Sequence, residues 1–309
     1  MEFFKHNTKI NFMGQRKWAA VLSVTLVVLS IASLIVNRLN LGLDFTGGSQ
    51  IQMSFPHEAD LNQIRDALQK VGFPEAQVIS YGTSHDVLVS VVPKDKNHIE
   101  ASKDEVVSDV VKALPDAKVQ QVDYIGPQVG QELATKGALA IVIALLGTMI
   151  YVALRFEWRF SVGSTVALIH DPVLILGLFS FFHIEFNLIA LAAVLTVIGY
   201  SLNDTIVIFD RIRENFRKLR KAEAFDVVNQ SINQTLSRTI MTSALTLTVV
   251  LALFFLGGSM LHGFASAMII GIVIGTYSSI YVAGSLALSL GLSRQNLLPM
   301  PKEVLDDRP

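Results

Sequence analysis

Apolar positions along this chain gather into six runs, near residues 18–36, 137–154, 161–182, 187–209, 238–257 and 264–290. Each is close to the length of about 20 residues that a helix needs to cross a bilayer. Between the first two runs, residues 37–136 turn polar and their periodicity changes. "LDFTGGSQIQMSF" alternates as a strand does, and "EADLNQIRDALQKVG" has helical spacing closed by Gly72. "AQVISYG" and "HDVLVSVV" read as two strands, "HIEASKDEVVSDVVKAL" as a helix stopped by Pro115, and "AKVQQVDYIG" as a last strand. The order β-α-β-β-α-β predicts a small ferredoxin-like domain. The expected fold class is a polytopic α-helical membrane protein, with six transmembrane helices and one small α+β (ferredoxin-like) extracytoplasmic domain.

Charge gives this path a direction. Lys5, Lys9, Arg16 and Lys17 precede the first run, and Arg155 and Arg159 separate the second from the third. Arg211, Arg213, Arg217, Lys218, Arg220 and Lys221 follow the fourth. All three clusters fall on one side of an alternating six-span path, while "HIEFN" and "GGSMLHG" on the other side hold no Lys or Arg. The positive-inside rule therefore places both termini in the cytoplasm. The expected organisation is a cytoplasmic segment 1–17, a first span 18–36, an extracytoplasmic domain 37–136, spans two to six within 137–290, and a cytoplasmic tail 291–309. The first run has no small-residue cleavage site and reads as a retained span. Segment 210–237, basic and partly amphipathic, is expected along the cytoplasmic membrane surface.

Composition narrows the function classes. Of 309 residues, 51% are hydrophobic and 17% charged, with a mean hydropathy of +0.48, too apolar for an ordinary soluble domain. The net charge of -1 gives no reason to expect a nucleic-acid partner. There is no cysteine, which excludes disulfides, thiolate catalysis and Cys-ligated metal sites. No cofactor or metal site is expected.

Ionisable residues inside the apolar runs are the candidate chemistry, because a charge at mid-bilayer costs about 2.5–3.5 kcal/mol on insertion scales. Asp171 lies mid-span in "ALIHDPVLIL", beside His170 and Pro172. It reads either as a functional carboxylate or as a neutral group in a turn that the proline loosens. His170 has no ligand set around it in the sequence. Asp204, in "GYSLNDTIVIFDRIREN", shares a helix face with Val197, Tyr200, Ser201, Ile208 and Arg211. The apolar "TIVIF" that follows it argues for a submerged carboxyl able to exchange protons, against a helix-end carboxylate at the headgroups. Arg238 opens the fifth run and is either an interfacial anchor or a partner for Asp204. Thr239, Thr242, Ser243, Thr246 and Thr248 either line a hydrated route or bond back to their own helix. Gly271, Gly275 and Ser279, like Ala283 and Ala287, follow the small-xxx-small spacing of close helix packing.

Taken together, "LGLDFTGGSQIQ", "IGPQVGQEL", "ALRFEWRFS", "ALIHDP", "VIGYSLNDTIVIFDRIREN" and "NQTLSRTIMTS" resemble the SecD/SecF family of bacterial protein-export membrane proteins, within the resistance-nodulation-division superfamily. The resemblance covers nearly the whole chain and matches the SecF-type half. It implies a multi-pass subunit of the bacterial inner (cytoplasmic) membrane that pairs with SecD. It further implies association with the SecYEG channel, with YajC as an optional further partner, and use of the proton gradient to draw preproteins across, without an enzymatic step. Carried over residue by residue, it assigns proton coupling to Asp204, Arg238 and Asp171. It assigns the extracytoplasmic signature to Asp44, Phe45, Thr46, Gly47 and Gly48, which also reads as a tight strand entry that needs glycine. The competing readings are half of a proton-coupled small-molecule exporter of the same superfamily, an intramembrane aspartyl protease using Asp171 and Asp204, and a scaffold indifferent to these charges.

Overall fold

The computed structural model describes residues 8–74, 76–81, 83–92, 99–219 and 221–293. Lys5, Arg220 and residues 294–309 of the expected tail lie outside the described residues. A short 3-10 turn leads into α1 (Arg16–Val36), whose apolar sequence matches the first run. Then come β1 (Asn40–Leu41) and one helical turn, α2 (Leu43–Thr46), followed by β2 (Gly48–Ser54), α3 (Leu61–Lys70), β3 (Gln77–Tyr81), β4 (Thr83–Val91), α4 (Ile99–Ala113) and β5 (Lys118–Ile125). The strands β3-β4-β2-β5 form one antiparallel sheet in that order. With β2 counted as the first strand, this is the ferredoxin-like order the sequence predicts. α3 starts where Asp60 accepts the Asn62 and Gln63 amides at 2.9 and 3.3 Å, as an N-cap does. Ile64, Leu68 and Val110 from the helices close over Ile51, Val87 and Val89 of the sheet.

The remaining helices are α5 (Pro127–Arg155), α6 (Trp158–Phe181), α7 (Leu188–Lys218), α8 (Ala224–Leu256) and α9 (Gly258–Ser278). α9 runs through a π-helical turn, Ser279–Ala283, into α10 (Gly284–Ser289). With α1, these give six helices long and apolar enough to cross a membrane, among the described residues. α6, α7 and α9 are mostly buried within the bundle, whereas α1, α5 and α8 expose their apolar sides.

The structure corrects the sequence reading at two places. Leu43–Thr46 is helical, and the strand starts only at Gly48. Segment 210–237 forms no separate surface helix: α7 continues to Lys218, and α8 already begins at Ala224. The cause is that a helix satisfies its own backbone hydrogen bonds whatever its side chains, so α7 and α8 run on past their apolar stretches, and there the polar side chains find partners. Asn215 Nδ2 donates to Ser231 Oγ at 2.8 Å and to Gln234 Oε1 at 2.9 Å, and the Ile10 carbonyl accepts from Asn229 and Asn233 at 3.1 and 2.8 Å.

The small residues of α9 do pack closely. A Cβ on Gly271 would overlap the Val197 side chain of α7, so only glycine lets these two helices approach so far.

Candidate functional site

The "DFTGG" stretch joins the α+β domain to the bundle. Asp44 Oδ2 accepts the Leu188 amide at 2.9 Å, capping the first turn of α7. Asn187 caps the same helix through the Ala190 amide, also at 2.9 Å. Phe45 stacks on Phe186, with ring centroids 5.9 Å apart, and Phe186 meets Phe179 edge-on at 6.0 Å. Thr46 Oγ1 donates to the Gly42 carbonyl at 3.2 Å, which holds the turn. Gly47, with φ of 72°, takes the left-handed conformation that glycine tolerates best, and its backbone lies against Gly130 of α5. These contacts also explain why Leu43–Thr46 is not a strand: Asp44 is bound by the start of α7, the Phe45 ring stacks on Phe186, and Thr46 bonds back within the turn.

Beside this turn, β1 pairs in parallel with β6 (Glu185–Phe186), and the Gly42 amide donates to the Phe186 carbonyl at 2.9 Å. Burial, and secondarily the charge of Asp44, push the Glu185 carboxyl above its ordinary range. An acid raised in the folded state favours the folded contact most below the ordinary carboxylate range, and this preference fades as pH rises through the raised value. Protection of the Gly42 amide, measured by hydrogen exchange and corrected for intrinsic rates, is therefore expected to weaken as pH rises. Glu185→Gln should flatten that dependence; an unchanged slope in the variant would contradict it.

Asp171 is fully buried at the meeting of three helices. Its Oδ2 accepts Ser201 Oγ of α7 at 2.5 Å and Ser278 Oγ of α9 at 2.9 Å, and its Oδ1 lies 2.9 Å from His170 Nδ1. Ser278 is the last residue before the π-helical turn, a type of irregularity that often marks functional sites in helices. Sequence reasoning missed Ser278, and it noted Ser201 only as a neighbour on the face of Asp204.

Asp204 follows Ser201 by about one turn of α7 and is 4% exposed. Its Oδ2 is buried without a hydrogen-bond partner. On α8, the exposed Arg238 supplies the cationic charge that acts on this carboxylate. Among the described residues, no hydrogen bond or ion pair joins the two. The direct pair considered from sequence is thus a through-space relation here. The neighbouring Thr239 Oγ1 is likewise buried and unpartnered. Thr242, Thr246 and Thr248 bond back to the carbonyls of Arg238, Thr242 and Ala244, whereas Ser243 bridges to Thr276 of α9 at 2.8 Å.

The end of α7 is structural. Phe209 fits between Phe156 and Phe160, at 5.8 and 4.7 Å, and Asp210 bridges Arg155 and Arg213 at 3.1 and 3.6 Å. These contacts account for "RFEWRF" and "FDR" without any transport chemistry.

Residues 105–293 match the family described as "Protein export membrane protein SecD/SecF, C-terminal", and residues 32–55 match the "SecD/SecF GG Motif". The chain belongs to the SecD/SecF family. The protein translocase subunit SecF of Vibrio alginolyticus is 47% identical over 303 residues, covering 96% of this chain and 95% of that one. SecF of Escherichia coli O157:H7 is 43% identical, covering 98% of this chain and 95% of its own length. Among solved structures, SecDF of Thermus, a translocon-associated membrane protein, superposes with a TM-score of 0.80 at 36% identity. That match covers 93% of this chain but only 39% of the SecDF chain. A second SecDF structure, in a super-membrane-facing form, gives a TM-score of 0.71.

Proposed function

We propose that this SecD/SecF family member is the SecF-type half of the proton-driven accessory complex of preprotein export. In this reading it sits in the bacterial inner membrane with both termini in the cytoplasm, and it works with SecD and the SecYEG channel, with YajC as an additional partner. Proton movement down the gradient supplies the work, at about 2.3 kcal/mol per charge per 100 mV. Asp204 carries the proton, Arg238 is its counter-charge, and Asp171 holds α6, α7 and α9 together beneath them.

The observation that carries this reading is the Asp204 oxygen buried in a spanning helix with no partner. Such an atom is costly unless its charge changes or a second state satisfies it. Protonation removes the charge, weakens the pull of Arg238 and lets α7 and α8 shift, so each proton biases one of two helix arrangements. The Asp44 cap and the Gly47–Gly130 contact tie α7 and α5 to the extracytoplasmic domain, which moves with them. Pairing with SecD is supported by the side of α7 left open in this chain. Thr196, Gly199 and Asn203 are exposed there, and Arg238 is exposed on α8. Small and polar residues on an open membrane face suit a second helix bundle better than lipid.

Arg238 tests the pairing. Arg238→Met is expected to reduce gradient-stimulated export by about tenfold or more, an effect worth about 1.4 kcal/mol, while Arg238→Lys retains most of it because a cation remains. Comparable activity of the two variants would make Arg238 an interfacial anchor. The family match favours this reading over a small-molecule exporter half.

A further inference from the structure

The groove between α1 and α6 leads to a group that the mechanism above does not use. His170 is 6% exposed, its Nδ1 faces Asp171, and its Nε2 is buried with no hydrogen-bond partner. Asp171 Oδ2 already accepts two hydroxyls, and where the carboxyl is ionised its Oδ1 takes the Nδ1–H of the imidazole. In that form Nε2 is a bare lone pair, and the dyad carries one negative charge within the bundle.

His170 lines a groove formed with Ser23 and Val27 of α1, Tyr281 and Ser285. Hydroxyl groups mark its course. Tyr281 Oη lies 3.4 Å from Gln15 Oε1 near the start of α1, and Tyr277 Oη lies 3.0 Å from Ser23 Oγ. The two tyrosine rings are 5.3 Å apart. This polar track starts at the end of the bundle opposite the α+β domain, in a groove otherwise walled by aliphatic side chains.

We propose that His170 and Asp171 form a second protonation site of the bundle, distinct from Asp204, in which His170 Nε2 takes up the proton and Asp171 holds the imidazole. A hydronium ion entering the groove gives its proton to Nε2 and leaves as water. An N–H bond forms, the dyad passes from a net charge of minus one to zero, and the proton leaves by the same track. Both carboxylate oxygens are tied to neighbours, so this change of charge alters the pull on Ser201 of α7, about one turn from Asp204, and on Ser278 before the π turn. The titratable groups facing His170 are Asp171 on its own helix, Tyr277 from α9 and Tyr281 from the π turn, with Asp204 about one turn beyond Ser201 on α7. Between Lys17 and Arg38 α1 offers none; between Lys136 and Arg155 α5 offers only Tyr151, and α10 offers none. The contribution of this site to export rests on the proton-coupled reading above, but its protonation does not.

The test uses the full chain assembled with SecD in lipid nanodiscs, with 15N-labelled histidine. The chain has 7 histidines, and His170→Gln assigns the signal. On acidification across the range of about pH 8 to 5 in which imidazoles change charge, His170 Nδ1 is expected to stay protonated and Nε2 to gain its proton. The same is expected in Asp204→Asn. A bare Nε2 throughout overturns the site. His170→Asn then separates titration from positioning, since its amide still donates toward Asp171 but takes up no proton. Gradient-stimulated export is expected to fall at least about fivefold in this variant, with SecD assembly intact. Normal export in His170→Asn overturns the role in transport. Normal export in Asp204→Asn, with His170 still titrating, would count against the Asp204 reading and leave this site standing.

Discussion

Asp204→Asn is expected to lower preprotein export in cells by about tenfold or more, to the level of cells lacking the subunit, while the amount of chain and of co-purifying SecD stays unchanged. The substitution is nearly isosteric and leaves the packing of α7 on α9 intact, including the approach of Val197 to Gly271. It removes only the group that can change charge. Asp204→Glu should keep part of the activity, because it restores a titratable oxygen at a shifted place. A scaffold role predicts the reverse, with Asn tolerated and the longer Glu disruptive.

The second large effect is at the joint between domain and bundle. A Cβ on Gly130 would lie 2.9 Å from the Gly47 nitrogen and 3.0 Å from the Phe45 carbonyl oxygen. Both neighbours are backbone, so no side-chain rotation relieves the contact, and the larger Gly130→Val must push α5 off the turn. Overpacking of this kind typically costs about 1–3 kcal/mol. The joint also holds the Asp44 cap, so proteolysis between α2 and β2 should rise as the thermal midpoint falls. Gly147→Val is the control, because nothing lies within 4 Å of a Cβ there and the residue is on the same helix. Equal behaviour of the two variants would remove the joint from the account.

The sequence made the spans, the ferredoxin-like strand order and the burial of Asp204 legible, each for a local reason. Span length and strand alternation are written in consecutive residues, and "TIVIF" after Asp204 carries the apolar run past the carboxylate. What it hid depends on contacts between distant segments. Leu43–Thr46 alternates like a strand, but Asp44 is 144 positions from the Leu188 amide it caps, and that partner decides the local shape. The hydroxyls that hold Asp171 come from α7 and α9, at sequence separations of 30 and 107, so no spacing rule could point to them. The polar ends of α7 and α8 looked like a surface segment because hydrophobic periodicity marks where a helix leaves the membrane and not where it stops. Arg238 was legible as a charge, but whether it touches Asp204 was not, since that depends on how α7 and α8 pack.

The central claim is that a change of protonation at Asp204 is what the gradient works on. It is tested most directly in inverted membrane vesicles carrying SecYEG, SecD and this chain, by the ratio of preprotein translocation with and without an imposed proton gradient. The account predicts a clear stimulation with the unaltered chain and a ratio of about one for Asp204→Asn, with gradient-independent translocation equal in both. A variant that keeps the full stimulation would contradict it.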